Sequence, residues 1–224
     1  TLQANEYKTK NKLAEYLKFR GDKVYEVGGI CWYEYQGFLV PAYLPHCTPE
    51  ISENIANEVL KFTQKLSVRW ISHFGNYYNS EWWYVLKRGK WDIDEIPKKK
   101  KRWMIRKSKK KFSVRQMSFS EVLEQCPKVA NKASSRYKVD NSVEDELVIF
   151  RNIEAAKKAP GVLEYTGCFD GSRLVSYSEN LIQENADWMV NIRHDPDYLK
   201  QGASYALIDG ILNTYLNQKE LEYV

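Results

Sequence analysis

From Ala186 to Val224 the hydrophobic pattern changes period twice, and this change limits the possible folds more than any other stretch of the chain. The run "ADWMVNIRH" alternates as a strand does, "DPDYLKQGASYALIDGILNTYLNQ" spaces its apolar residues as a helix does, and "LEYV" is strand-like again. Gly202 falls in the turn that opens the helix. Backbone N–H groups at such a start lack intrahelical acceptors and, with the helix dipole, favour a phosphate or carboxylate. The helix, about Gln201 to Asn217, is expected to bury Ala206, Leu207, Ile208, Ile211, Leu212, Tyr215 and Leu216 and to turn Asp209, Asn213 and Asn217 to water.

The same reasoning lays out an α+β chain upstream. Residues 8–20, "KTKNKLAEYLKFR", read as a short amphipathic helix with Leu13, Tyr16, Leu17 and Phe19 or Arg20 at helical spacing, stopped by Gly21. "KVYEV", "ICWYEY" and "FLVPAYL" read as a three-stranded meander, its last strand an edge because of Pro41. Residues 50–66 place Ile51, Ile55, Val59, Phe62 and Leu66 on one helical stripe started by Thr48 or Pro49, and "SVRWISHF" and "EWWYVLKRG" follow as strands. A helix over 97–111 has a small apolar foothold at Trp103, Met104 and Ile105. The second half adds a strand at "FSVRQMS", helices at 118–137 and 142–158, and a second meander, "GVLEYTGCF", "RLVSYSENLI" and "ADWMVNI", whose first hairpin turns at Asp170-Gly171-Ser172. Ser118 and Glu121 form a capping box. The order meander, loop with His and Pro, helix, strand thus occurs twice, through either an internal duplication or the recurrence of a common α+β order.

Charge is unevenly spread along this order. The 224 residues carry +5, yet residues 98–111 hold ten Lys or Arg and no acid, and subtracting those ten leaves the remainder at −5. Such a run serves either as a solvated helix face or connection, or as an attractor for RNA, phosphate or an acidic polymer, with Arg102, Arg106 and Lys107 best suited to grip it. No apolar run approaches the roughly 18 residues of a membrane helix, and "TLQANEYKTKNK" lacks the apolar centre of a signal peptide, so a cytoplasmic protein without a membrane span is expected. The four cysteines form no C-x-x-C pair and the three histidines no ligand spacing, which argues against a disulfide framework or a metal site.

The order from Phe112 to Val224, strand, two helices, three-stranded meander, Gly-turn helix and strand, resembles the GCN5-related N-acetyltransferase fold. In that family a loop of the form Gln/Arg-x-x-Gly-x-Gly/Ala holds the pyrophosphate of acyl-CoA on its amides, and Lys200-Gln201-Gly202-Ala203-Ser204 keeps one of its two glycines. Arg102-Trp103-Met104-Ile105-Arg106-Lys107-Ser108-Lys109-Lys110 resembles the basic helix, R-x-x-I-R-K-A/S-x-K, that joins tandem acetyltransferase-like modules in the FemABX-type aminoacyltransferases. The resemblance implies two such modules, each an antiparallel mixed sheet flanked by helices. Residues 1–96 would be a degenerate copy, 97–111 a basic linker helix, and 112–224 the copy with the active cleft. That fold adds further strands after the last one here, so closing strands, with the tyrosine often used as general acid, are expected beyond Val224.

The activity implied by the resemblance is transfer of an acyl or aminoacyl group to an amine acceptor, from acyl-CoA or from aminoacyl-tRNA. A catalytically silent binding or scaffold protein of the same fold is the alternative. Acyl transfer needs a neutral nucleophile, donors for the developing oxyanion and a proton route. Simple alternation puts Asp187, Met189, Asn191 and Arg193 on one side of "ADWMVNIRH" and Tyr177 with Glu179 on one face of the neighbouring strand. The candidate assignments are Glu179 or Asp187 as proton carrier, Tyr177 as its acid or base partner, Asn191 and Arg193 orienting the acyl donor, and the amides of Gln201, Gly202, Ala203 and Ser204 on a cofactor phosphate or substrate carboxylate. Plain structural roles stand beside them: Arg193 paired with Asp195, and Gly202 relieving crowding at the helix start.

Overall fold

The computed structural model describes residues 11–72, 74, 86–136 and 142–224. The first residues of the expected helix at 8–20, the end of "SVRWISHF" at His73 and most of "EWWYVLKRG" lie outside the described residues. The chain divides into two compact units, one within Thr1–Glu81 and Glu154–Val162, the other within Trp82–Ile153 and Leu163–Val224. The α+β expectation holds: two antiparallel sheets, of three and four strands, are flanked by helices.

In the first unit α1 (Lys12–Arg20) starts on Asn11, whose side chain accepts the Ala14 N–H at 3.0 Å, and stops at Gly21 with φ +96°. Leu13, Tyr16 and Leu17 are buried, as their spacing predicts, while Phe19 is left on the surface. Strands β1 (Val24–Val27), β2 (Ile30–Tyr35) and β3 (Phe38–Pro41) form the expected meander. Its core is Val27, Ile30, Trp32 and Leu39 against Val59 of α2 (Glu53–Thr63). That helix starts later than expected, on the Ser52 side chain, and Gln64 at φ +55° ends it early. Leu66 therefore falls beyond the helix and is 99% exposed, and Phe62 is exposed as well. "SVRWISHF" contributes one parallel bridge, Val68 to Leu39, in place of a full strand.

The second unit is built on β4 (Ser113–Gln116), β5 (Leu163–Asp170), β6 (Arg173–Gln183) and β7 (Ala186–His194), hydrogen-bonded in that order. The basic helix α3 (Lys99–Lys111) precedes β4, and α4 (Phe119–Arg136) and α5 (Ser142–Lys158) follow it. The capping box forms: the Ser118 N–H donates to Glu121 Oε2 at 2.9 Å, and the Glu121 N–H to Ser118 Oγ at 3.4 Å. After β7 come a short helix α6 (Pro196–Leu199), α7 (Ala203–Leu212) and a π-helical turn, Asn213–Gln218. Ala206, Leu207, Ile211, Leu212, Tyr215 and Leu216 pack on Phe112, Cys168 and Val175. A Cβ on Gly210 would stand 2.3 Å from Val114 Cγ1, so glycine is what lets α7 lie this close to β4.

The wet side expected for this helix is covered. Asp209 is 2% exposed, accepts Trp91 Nε1–H at 2.8 Å and pairs with Lys109 at 3.0 Å, while the Asn217 side chain binds both the N–H and C=O of Trp91. Periodicity reads only the helix, and the covering groups arrive from about 100 residues upstream. "LEYV" lies between Lys87–Gly89 and the start of β7 through isolated bridges at Tyr223. Among the described residues no helix is long and apolar enough to cross a membrane.

Candidate functional site

A β-bulge decides which predicted residues meet. Glu179 pairs with Asn191 but Asn180 pairs with Met189, so Val190 is an extra residue in β7 and the alternation changes phase there. Asp187, Met189, Asn191 and Arg193 therefore do not share a face, contrary to the simple alternation. Met189 and Ile192 pack with the α7 core, and Asp187 is on that side too, close to Glu164 and Tyr215. Asn191 and Arg193 lie on the opposite face, across from Glu179 and Tyr177.

On that opposite face Glu179 is 6% exposed and well supplied with donors. Its Oε1 accepts from Asn152 Nδ2 of α5 and from Tyr165 Oη at 3.1 Å, and Oε2 receives Asn191 Nδ2 at a long 3.4 Å. Tyr177, 1% exposed, precedes it by two residues and stands opposite Arg193 in register. Arg193 is half-buried, and its guanidinium has no hydrogen-bond or ion-pair partner among the described residues. Its suggested partner Asp195 is taken by Lys132 at 2.9 Å and Arg173 at 3.0 Å. The result is a buried carboxylate and an uncommitted guanidinium on one polar sheet face. Such an arrangement can take a proton and orient an anionic or carbonyl group.

The α7 side holds a different network. Tyr215 Oη donates to Glu164 Oε2 at 2.8 Å and accepts Asn180 Nδ2 at 3.1 Å, and Lys219 Nζ binds Glu164 at 2.6 Å. Tyr215 and Lys219 sit at the π-helical turn, a distortion found often at functional sites. Asp187 faces this network with neither oxygen hydrogen-bonded. Burial, and then the nearby Glu164 charge, push its carboxyl up to about 8.

At the start of α7 the four amides named from the sequence differ in what they bind. The N–H groups of Gln201 and Gly202 donate to Tyr198 O and Leu199 O, both at 3.1 Å, so two of the four amides are engaged in the preceding turn. Those of Ala203 and Ser204 have no acceptor among the described residues. Gly202 has φ +93°, and a Cβ there would lie 3.1 Å from Ser108 Cβ of α3, which gives the glycine a packing reason. In the basic helix Arg102 donates to Ile96 O and to Pro97 O, the latter at 3.3 Å, and Arg106 pairs with Asp94. Lys107 lies 5.0 Å from the centre of the exposed Trp103 ring. Lys101 and Lys109 turn inward to Tyr205 and Asp209.

Sequence reasoning missed Asn152 and Tyr165 around Glu179. Counting back from the hairpin pair Asp170–Arg173 would set Tyr165 opposite Ser178, and a bulge between Cys168 and Phe169 moves it opposite Glu179. Asn152 comes from a helix with no register to the strand, and no local signal marks it.

The sequence matches no protein-family model and no curated protein. The fold does have solved counterparts. The C-terminal domain of a putative lysylphosphatidylglycerol synthetase from Agrobacterium fabrum superposes with a TM-score of 0.56 at 11% identity, over 95% of this chain and 71% of that one. L-PGS from Bacillus licheniformis gives 0.53 at 14% identity, over 96% and 74%. A conserved protein of unknown function from Bacteroides thetaiotaomicron gives 0.54 at 9% identity, over 95% and 78%. At these identities the likeness is one of fold, and it runs through both units of the chain.

Proposed function

We propose that this protein is an acyltransferase that moves an aminoacyl or acyl group onto an amine, with the polar face of β6 and β7 as its reaction surface. The observation that carries this reading is the buried, donor-ringed Glu179 beside the uncommitted Arg193. Glu179 takes a proton from the acceptor ammonium, directly or through water, so that the neutral amine attacks the donor carbonyl and the tRNA hydroxyl or CoA thiol leaves with a proton; Tyr177 is the acid–base neighbour of Glu179, and Asn191 and Arg193 orient the donor carbonyl. Asp187, on the other face, is separated from this group and does not share its proton path.

The fold likeness to a domain named for lysylphosphatidylglycerol synthesis supports an aminoacyl donor, as an argument by analogy. The tandem, FemABX-like organisation of acetyltransferase-like modules is part of the same reading and rests on the resemblance of the basic helix Arg102 to Lys110. Acyl-CoA remains the second donor class because the Ala203 and Ser204 amides are uncommitted at a helix start. Binding of tRNA or another polyanion by the basic helix rests chiefly on Lys107 and the other outward lysines, since Arg102 and Arg106 are engaged locally.

The test is a transfer assay on the full chain with radiolabelled aminoacyl-tRNA or acetyl-CoA and a panel of amine acceptors. Label transfer that falls about 10²-fold in Glu179→Gln supports the reading. Absence of transfer from both donors, with neither donor bound, would leave the silent scaffold in its place.

A further inference from the structure

A cavity of about 450 Å³ lies between α4 and the turn joining β5 to β6, and the transferase reading does not use it. Its lining includes Gln125, Lys128, Lys132, Ser172, Arg173 and Asp195. Asp195 is 1% exposed, and its Oδ2 accepts from both Lys132 Nζ and Arg173 Nη2. Its Oδ1 accepts the Asp197 N–H at 3.2 Å and so caps α6. An ammonium has three donors and a guanidinium five, so each cation keeps donors to spare. Both side chains stay about half exposed, at 45% and 53%. The Arg173 guanidinium also lies 5.3 Å from the centre of the Tyr198 ring, which limits its freedom.

Lys128, one turn before Lys132, adds a third cation. Its partner Glu124 is 3.7 Å away with both side chains more than 70% exposed, a pairing that costs little to break. Gln125 uses Oε1 on the Leu174 N–H and has no described partner on Nε2. The solvent side of the cavity thus presents three cations and an amide, with the exposed Glu124 carboxylate also in the lining and that of Asp197 3.9 Å from Lys132 Nζ, while the carboxylate that positions two of the cations is hidden. The volume lies within the roughly 300–1,000 Å³ range of small-molecule sites.

We propose that this cavity binds a small phosphate-bearing molecule, with Arg173 and Lys132 on the phosphate, Asp195 as their positioning anchor and Lys128 at the rim. Bidentate guanidinium and ammonium contacts are the usual means of holding a phosphate dianion. The experiment is isothermal titration of the full chain with inorganic phosphate and with glycerol 3-phosphate at constant ionic strength. Saturable one-to-one binding is expected, weakened about tenfold by Lys128→Gln or Arg173→Gln and unchanged by Lys110→Gln on the basic helix. Asp195→Asn keeps a capping residue but loses the charge that holds both cations in place, so it should bind phosphate more weakly than the parent. Tighter binding of glycerol 3-phosphate assigns the site to an organic phosphate, and equal binding assigns it to the free ion. Because Arg173→Gln leaves a buried carboxylate short of a partner and can unfold the chain, Lys128→Gln, which touches no buried group, is the decisive variant. No saturable binding up to about 20 mM, or binding indifferent to Lys128→Gln and Asp195→Asn, overturns the proposal.

Discussion

Glu179 and Asp187 are both buried, lie on neighbouring strands, and face opposite sides of one sheet. Asn152, Tyr165 and Asn191 donate to Glu179, whereas Asp187 has no donor, and burial beside Glu164 pushes its carboxyl up to about 8. A buried carboxylate with donors keeps a charged form available for chemistry, and one without them is made neutral by taking up a proton. Burial alone therefore does not mark a reactive acid. The donors around it do, and here one bulge sorts the two carboxylates between the two environments.

The contrast is sharpest in its dependence on pH. A carboxyl raised from 3.8 to about 8 keeps its proton in the folded chain while the unfolded chain has lost it. The stabilisation it supports is then fully present below the unfolded value of 3.8 and is lost as pH rises towards 8, at about 1.4 kcal/mol per pH unit and ~6 kcal/mol in all. Urea denaturation from pH 4 to 9 should show that decline, and Asp187→Asn should flatten it and leave the protein more stable at pH 8. A parent profile that is flat over this range would break the comparison.

On the other face Glu179→Gln should lower transfer about 10²-fold, ~3 kcal/mol in the barrier, while leaving the pH slope of stability in place. If it moves the slope instead, the roles of the two acids are exchanged. Tyr215→Phe removes the hydroxyl between Asn180 and Glu164, and a loss of about 2 kcal/mol is expected in the same denaturation experiment with transfer retained. The smallest effect is expected of Gly202→Ala, about 1 kcal/mol, from its φ of +93° and the approach of Ser108. That variant keeps every backbone amide at the start of α7. Unchanged donor affinity beside reduced stability would assign Gly202 to packing, and lost affinity would return it to the donor site.

Much of the fold was legible because its signals are local. Asn11 and Gly21 bound α1, the pair Ser118 and Glu121 starts α4, and the turn at Gly171 joins β5 to β6 where expected. The site was legible only in its parts. Tyr177, Glu179, Asn191 and Arg193 stand out by their chemistry and do share a face, but simple alternation adds Asp187 to them and the bulge at Val190 interrupts it. The basic run was visible as charge, yet which cations remain free depended on Asp94, Asp209, Asp170 and Tyr205.

By itself the sequence determined the α+β class, the order of strands and helices, and the stock of charged and aromatic side chains. These follow from hydrophobic period, capping and turn chemistry, which act over a few residues. Only the tertiary structure decided which face each side chain joins and which charges are neutralised. One extra residue in a strand reverses every side chain beyond it, and the partners of a buried charge come from segments far away in the chain. The turn at Gly202, whose spacing points to an anion site, is for the same reason also a point of contact with Ser108 of a helix almost 100 residues earlier.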